Sequence, residues 1–210
     1  MKWRRIPAGP LGTNCYVVWN QENNCLIFDP GGDEQIIKAF IKKNNLNPKA
    51  ILLTHAHFDH IGALEEIRST YQIPAFVHEK EAKWLLDPAL NGSQFFQMGV
   101  IRCRPADDFI TKEGSQNFGG ITLEILETPG HSPGSVSFYF EEGGFVISGD
   151  ALFLGSIGRT DLPGGDHKQL IKSIHDKLLS LPEDTIVLSG HGEETTIIQE
   201  MDHNPFLNGF

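Results

Sequence analysis

The sequence predicts an α/β protein of two mixed β-sheets with helices packed outside them, in a single domain spanning 1–210. Three observations predict it. Short apolar runs of strand character are interleaved with longer segments of helical period along the chain. Several strands are joined by tight polar turns, as hairpins, which disfavours a doubly wound parallel sheet. No linker, charge run or low-complexity stretch divides the 210 residues, a length that carries one sizeable core.

Taken in order, 15–19 and 25–28 read as two strands around the polar turn 20–24. The second ends in Asp29-Pro30-Gly31-Gly32, punctuation that stops a strand. Asp33, an N-cap type, starts a helix over 34–44 with Ile36, Ile37, Phe40 and Ile41 on one face. Residues 50–53 read as a buried strand, and a helix begins near His60. Residues 74–77 form a short strand and 79–86 a short helix. Residues 87–116, with Phe95, Phe96 and Met98 apolar but without period, read as an irregular excursion that covers the site. Residues 121–127 alternate as a strand, and 135–140 with 145–148 form a hairpin. A glycine-rich loop, 155–165, precedes a helix over 167–179. Residues 185–188 make the last strand and 193–201 the last helix.

Hydrophobic content of 40% and charged content of 21% are ordinary for a globular chain. The net charge of -10 argues against nucleic acid as a partner, because phosphate binding needs a basic face. Bound cations would reverse the field locally and leave anionic substrates open. Cys15, Cys25 and Cys103 are odd in number and form no CxxC pair, which reads as free thiols in a reducing compartment. The N-terminal ten residues are basic but lack the apolar run of a signal peptide, and no segment approaches membrane-spanning length. A cytoplasmic chain without a membrane partner is expected.

The chemistry concentrates in Thr54-His55-Ala56-His57-Phe58-Asp59-His60, on a turn between a strand and a helix. Imidazole and carboxylate suit borderline divalent metals such as zinc, and imidazole also suits iron. His55 and His57 are two apart, so extended backbone aims both one way. Asp59 and His60 follow where the chain turns into the helix and point to a second position nearby. Two adjacent metals are the natural reading. His131, Asp150 and His191 each lie just past a strand end, beside Gly, Pro or Thr. Strand ends that share one edge can converge there.

The ordered set HxHxDH, Pro129-Gly130-His131-Ser132-Pro133-Gly134-Ser135, Ser148-Gly149-Asp150 and Ser189-Gly190-His191-Gly192 resembles the metallo-β-lactamase superfamily over essentially the whole chain. The resemblance implies an αββα sandwich. It implies that His55, His57 and His131 hold one metal, that Asp59, His60 and His191 hold a second, and that Asp150 bridges them. The bridging Asp150, the absence of a ligand cysteine and the missing secretion signal distinguish the chain from true β-lactamases. Gly155-Ser156-Ile157-Gly158-Arg159-Thr160-Asp161 and Asn204-Pro205-Phe206-Leu207 resemble the glyoxalase II-like branch and its short bacterial members. That branch implies a hydroxyacylglutathione hydrolase, in which metal-bound hydroxide attacks S-D-lactoylglutathione or a related thioester. Asp59 would act catalytically by orienting the hydroxide. The metals would be two divalent ions, zinc first, with iron or manganese also compatible with the donors. Full-length members carry a further helical region that helps bind glutathione, and this sequence ends at Phe210 without one. Arg159 is the candidate clamp for a substrate carboxylate.

Three rivals remain open on sequence. A mononuclear iron persulfide dioxygenase shares the Gly-Arg-Thr-Asp stretch and needs only a triad such as His55, His131 and Asp150. Another hydrolase of the same fold, a lactonase or phosphodiesterase, differs in loop shape. A metal-stabilised scaffold without turnover is opposed by the full ligand set.

Overall fold

The computed structural model describes residues 1–96 and 99–207. The chain divides into two compact units, residues 1–111 with 117–122 and residues 112–116 with 123–210. Among the described residues the strands form two six-stranded sheets and a two-stranded ribbon, the mixed α/β class expected.

In the first unit the sheet runs β1 (Lys2–Ala8), β2 (Thr13–Trp19), β3 (Asn24–Phe28), β4 (Asn47–Leu52), β5 (Ala75–His78) and β6 (Asp108–Ile110), in that spatial order. The first three strands are antiparallel, as their short turns require. The pairs β3–β4 and β4–β5 are parallel because helices cross between them: α1 (Glu34–Lys43), then the single turn α2 (Phe58–Ile61) with α3 (Leu64–Tyr71). Ile37 and Ile41 of α1 and Leu64 and Ile67 of α3 are buried in one cluster with Val17, Ile27, Ile51 and Val77. Each such side chain contributes roughly 1.5–3 kcal/mol by leaving water. Tyr16, Val18, Leu26, Phe28 and Leu52, on the opposite strand face, are buried as well, which accounts for the unbroken apolar runs.

Several expectations change here. Strand β1 was not anticipated. It is an edge strand, and only Ile6 and Ala8 go inside. Ile36 is exposed; it lies a full helical step from Ile37 on the wheel. Asp33 stands at the N-cap position of α1 as expected, but its side chain makes no capping bond. It sits at φ 48 and its Oδ2 accepts the Gly9 N–H at 2.8 Å. The helix expected over 79–86 is a 3-10 turn, Glu79–Glu81, followed by turns. A continuing helix would need an N–H from Pro88 for the Trp84 carbonyl. Asn91 Nδ2 bonds that carbonyl instead, at 3.0 Å. The excursion after residue 87 contains a 3-10 turn, Ser93–Phe95, and ends in β6 and in a strand that opens at Gly114. It packs beside the histidine turn, where Asn91 O accepts the Phe58 N–H at 3.0 Å and the Phe96 ring lies 4.8 Å from that of Phe58. Met98 lies outside the described residues.

The second sheet holds β7 (Gly114–Phe118), β8 (Ile121–Glu127), β9 (Val136–Phe140), β10 (Phe145–Gly149), β13 (Ile186–Ser189) and β14 (Thr195–Thr196), in the order β14-β13-β10-β9-β8-β7. The ribbon is β11 (Leu152–Phe153) with β12 (Ser156–Ile157). The expected hairpin is β9–β10, and β13 returns parallel to β10 after α4 (His167–Ser173) and a π-helical turn, Ile174–Leu178. Leu170, Ile174 and Leu178 pack with Val146, Val187 and Ile197. The last helix, α5 (Ile197–His203), starts later than expected because Thr195 and Thr196 pair with β13. Buried Glu200 of α5 accepts from Gly155 N at 2.9 Å, Thr195 Oγ1 at 2.7 Å and Asn204 Nδ2 at 2.7 Å. Asn204 Nδ2 also donates to Ser156 O at 3.1 Å, and Leu207 is buried. The Asn-Pro-Phe-Leu segment thus ties α5 to the ribbon.

Cys15, Cys25 and Cys103 are unbridged and buried. Burial raises all three thiol pKa values, Cys25 and Cys103 to about 12. At pH 8 the thiolate that iodoacetamide needs is scarce and covered. Mass spectrometry after native alkylation should show no adduct, against three in denaturant. Rapid labelling of the native chain contradicts this burial.

Candidate metal centre

In the first unit the turn is set by strand register. Phe28 of β3 is paired with Leu52 of β4, so Asp29 and Leu53-Thr54 leave the sheet side by side. Asp29 Oδ1 accepts the Thr54 N–H at 2.8 Å, and Oδ2 accepts the Thr54 hydroxyl at 2.6 Å and faces His60 Nδ1 at 3.1 Å. Thr54 Oγ1 lies 3.1 Å from His55 Nδ1. Because the threonine has given its only proton to Asp29, it must accept from His55. Both histidines therefore carry their proton on Nδ1 and turn Nε2 toward the centre, the state a metal ligand needs. Asp59 is held from β2, its Oδ2 accepting the Thr13 hydroxyl at 2.9 Å. The rings of His55 and His57 meet at 4.8 Å, nearly perpendicular, and those of His55 and His60 at 4.0 Å. Ligand atoms of His55 and His57, of His55 and His60, and of Asp59 and His60 lie within 4.8 Å of one another. Gly31 makes this possible, since a Cβ there would stand 1.9 Å from the Asp59 carbonyl oxygen.

The second unit repeats the plan. Gly149 of β10 is paired with Ser189 of β13, so Asp150 and His191 follow adjacent parallel strand ends. Ser189 Oγ donates to the His191 carbonyl at 2.8 Å, and Gly190 N–H to the Gly149 carbonyl at 2.8 Å. His131, after β8, donates Nδ1–H to the Arg159 carbonyl at 2.8 Å, which again leaves Nε2 for a ligand role. Asp150 Oδ2 lies 3.6 Å from His131 Nε2 and 3.6 Å from His191 Nε2. A Cβ on Gly158 would stand 1.9 Å from the Asp150 carbonyl oxygen.

The chemistry of these distances is specific. A separation of 3.6 Å is too long for a hydrogen bond. Two donors bound about 2.1 Å from one tetrahedral metal stand roughly 3.4 Å apart. His131–Asp150, His191–Asp150 and His60 Nε2–Asp59 Oδ2, also 3.6 Å, are spaced as co-ligands. One carboxylate oxygen equidistant from two imidazoles fits a bridge between two metals. Nitrogen and oxygen donors without thiolate fit hard to borderline divalent ions.

The structure brings His55, His57, Asp59 and His60 together in the first unit, and His131, Asp150 and His191 in the second. Arg159 is engaged otherwise. Its Nε and one terminal nitrogen each bond Asp161 at 2.7 Å, and this pairing holds the exposed Asp161 carboxyl down at about 2. Its backbone carbonyl orients His131. Sequence reasoning missed Asp29, Thr54, Thr13 and this carbonyl. A charged residue straight after the apolar run 25–28 was the available sign of Asp29. His78 is buried and caps the 3-10 turn by accepting from Lys80 N at 3.2 Å, a helix-end role outside the ligand set.

A family model described as the metallo-beta-lactamase superfamily matches residues 8–191. The chain belongs to the metallo-β-lactamase superfamily. Its two mixed sheets are those of that fold. The probable metallo-hydrolase YqgX of Bacillus subtilis (strain 168) is 55% identical over 210 residues, covering 100% of this chain and 99% of the relative. The hydroxyacylglutathione hydrolase GloC of Haemophilus influenzae is 39% identical, covering 97% and 96%. The crystal structure of the BLEG-1 B3 metallo-beta-lactamase superposes with TM-score 0.97 at 55% identity, covering 99% of this chain and all of that one. That of TTHA1623 in a di-iron-bound form gives 0.86 at 40%, covering 97% and 100%. With the His/Asp cluster, membership makes this chain a metallo-hydrolase that takes divalent metal. Among the described residues no helix is long and apolar enough to cross a membrane.

Proposed function

We propose that the protein is a binuclear thioester hydrolase of hydroxyacylglutathione hydrolase type, acting on S-D-lactoylglutathione or a close relative. The observation that carries this reading is the near full-length similarity to a protein named hydroxyacylglutathione hydrolase. In this reading His55, His57 and His131 would hold one metal, Asp59, His60 and His191 the other, with Asp150 shared between them. Zinc is the first candidate; the di-iron form of a relative 40% identical keeps iron in play, and manganese suits the same donors. When bound, two such ions would supply a water acidic enough to attack near neutral pH and a Lewis acid for a carbonyl. The chain's own part is orientation. Asp29 and Thr54 hold two imidazoles in the ligand tautomer, and Thr13 fixes Asp59, which orients the attacking water. The leaving thiol, with a pKa of about 8.5, departs as thiolate without a strong acid from the protein.

The test is metal content on protein purified without added metal, with S-D-lactoylglutathione hydrolysis on the same sample. About two metals per chain and fast cleavage are expected. One ferrous iron per chain, no cleavage, and oxygen uptake with glutathione persulfide would transfer the assignment to the dioxygenase. A second reading has its own observation: a structural neighbour 55% identical bears the name of a B3 metallo-beta-lactamase. Opening a β-lactam uses the same water on a different carbonyl. A chromogenic cephalosporin assayed beside the thioester decides which carbonyl is preferred.

Arg159 supplies a sharper check. As a carboxylate clamp it would exchange Asp161 for the substrate. Arg159→Ala should then raise KM about tenfold with kcat unchanged, given the worth of a charge-assisted bond. Asp161→Asn should lower KM. Because the Asp161 pKa is depressed to about 2, the pair is charged throughout the neutral range and loses its charge only as pH falls through that value. KM should therefore carry no titration from it between pH 6 and 9. An unchanged KM in both variants removes Arg159 from the substrate site.

A further inference from the structure

The turn that carries His55 and His57 rests on a segment with no part in the ligand set. The carboxyl group of Glu81, fully buried, accepts the Ala56 N–H at 2.6 Å, and Ala56 is the residue between the two histidines. One turn on, the buried Trp84 ring lies 5.3 Å from the His57 ring, inclined at 42°. The segment is itself pinned: His78 accepts the Lys80 N–H as it opens, Trp84 N–H bonds the Glu81 carbonyl at 2.9 Å, and Asn91 Nδ2 takes the Trp84 carbonyl. Glutamate is almost never fully buried unless something in the interior needs its oxygen. Here the carboxylate takes the backbone N–H of Ala56, whose direction sets where both flanking side chains point, since residues on either side of it share one face of extended chain.

We infer that Glu81 is a positioning residue for the metal held by His55 and His57, with the Trp84 ring packed beside the His57 ring. Asp29 and Thr54 set the tautomer and tilt of His55 and His60; Glu81 sets the spacing between His55 and His57. Its loss should loosen one metal position and spare the one built from Asp59 and His60. A carboxyl group that merely filled the core would weaken both together, or neither. The inference rests on the two-metal reading.

The experiment is zinc affinity of the full chain by competition with chromophoric chelators, alongside the visible spectrum of the cobalt-substituted protein. His57→Ala and His60→Ala assign the two affinity steps. Glu81→Met, of similar volume but with no acceptor, should weaken the His57-assigned step 10–100-fold and change the cobalt bands. The His60-assigned step should stay within about threefold. Glu81→Gln keeps an acceptor oxygen for Ala56 and should hold both steps within about threefold. Equal weakening of both steps in folded E81M, or no weakening, overturns the inference. If circular dichroism shows E81M unfolded, Trp84→Leu carries the test: an unaltered cobalt spectrum there overturns it. A wild-type chain that takes up one metal refutes the binuclear reading by itself. Glu81→Met must then weaken that single site at least tenfold for the positioning role to stand.

Discussion

Asp150→Asn should remove hydrolase activity by a factor on the order of 10³ or more in kcat/KM. The substitution keeps the shape of the side chain, so it separates the site from the fold. What is lost is the anionic oxygen that stands 3.6 Å from both His131 and His191. A neutral amide is a poor bridge between two cations, and metal content should fall from about two per chain toward one. Thermal melting in the presence of a chelator should move by only a few degrees, because no metal is then there to lose. Full activity at two metals per chain in the variant would sink the bridging assignment, and with it the pairing of His131 and His191 across two positions.

Asp29 should matter almost as much, through a different route. Asp29→Ala leaves three buried donors without their acceptor: the Thr54 N–H, the Thr54 hydroxyl and His60 Nδ1. At about 1–3 kcal/mol for each unsatisfied group, and allowing for non-additivity, the loss is about 3 kcal/mol or more. For a chain of 210 residues that corresponds to a melting temperature lower by roughly 10 °C. Asp29→Asn is the more informative variant. Asparagine tolerates the left-handed backbone at φ 47. An amide nitrogen on the His60 side, however, forces His60 to accept on Nδ1 and carry its proton on Nε2, where it blocks a metal. An amide nitrogen on the other side confronts the Thr54 N–H. D29N should therefore fold yet bind metal 10–100-fold more weakly at the His60 position. Histidine tautomers read by NMR in the metal-free protein would check the cause directly. Nδ1-protonated His60 in D29N would refute it.

These two residues mark what the sequence makes legible and what it hides. His55, His57, Asp59 and His60 announce themselves because four donors crowd into six positions, a local signal. Asp150 and His191 are legible at one remove, as polar residues after apolar runs beside glycine. The two mixed sheets follow from strand character and hairpin turns. Asp29 reads as loop punctuation before Pro30, since its meaning depends on Thr54, twenty-five residues away, and on the parallel register of β3 and β4. Thr13 and Glu81 are hidden for the same reason. Strand β1 is masked because an edge strand buries little and needs no apolar run. Asp33 carries a cap signature but spends its carboxylate on Gly9, a tertiary partner that outcompetes the local one. The helix expected over 79–86 shrinks to a 3-10 turn whose Glu81 carboxylate goes to Ala56, a tertiary partner that apolar spacing does not show.

The three buried thiols bear on the proposed reaction in one more respect. A thioesterase sheds a free thiol at every turnover, and oxidised forms of that thiol attack accessible protein thiolates to leave mixed disulfides. Exchange runs through thiolate, and Cys15, Cys25 and Cys103 are neither ionised at cellular pH nor reachable. The protein's sulfur is chemically silent toward its own product. Its turnover should keep its rate in a glutathione disulfide buffer that would cap an exposed cysteine within minutes.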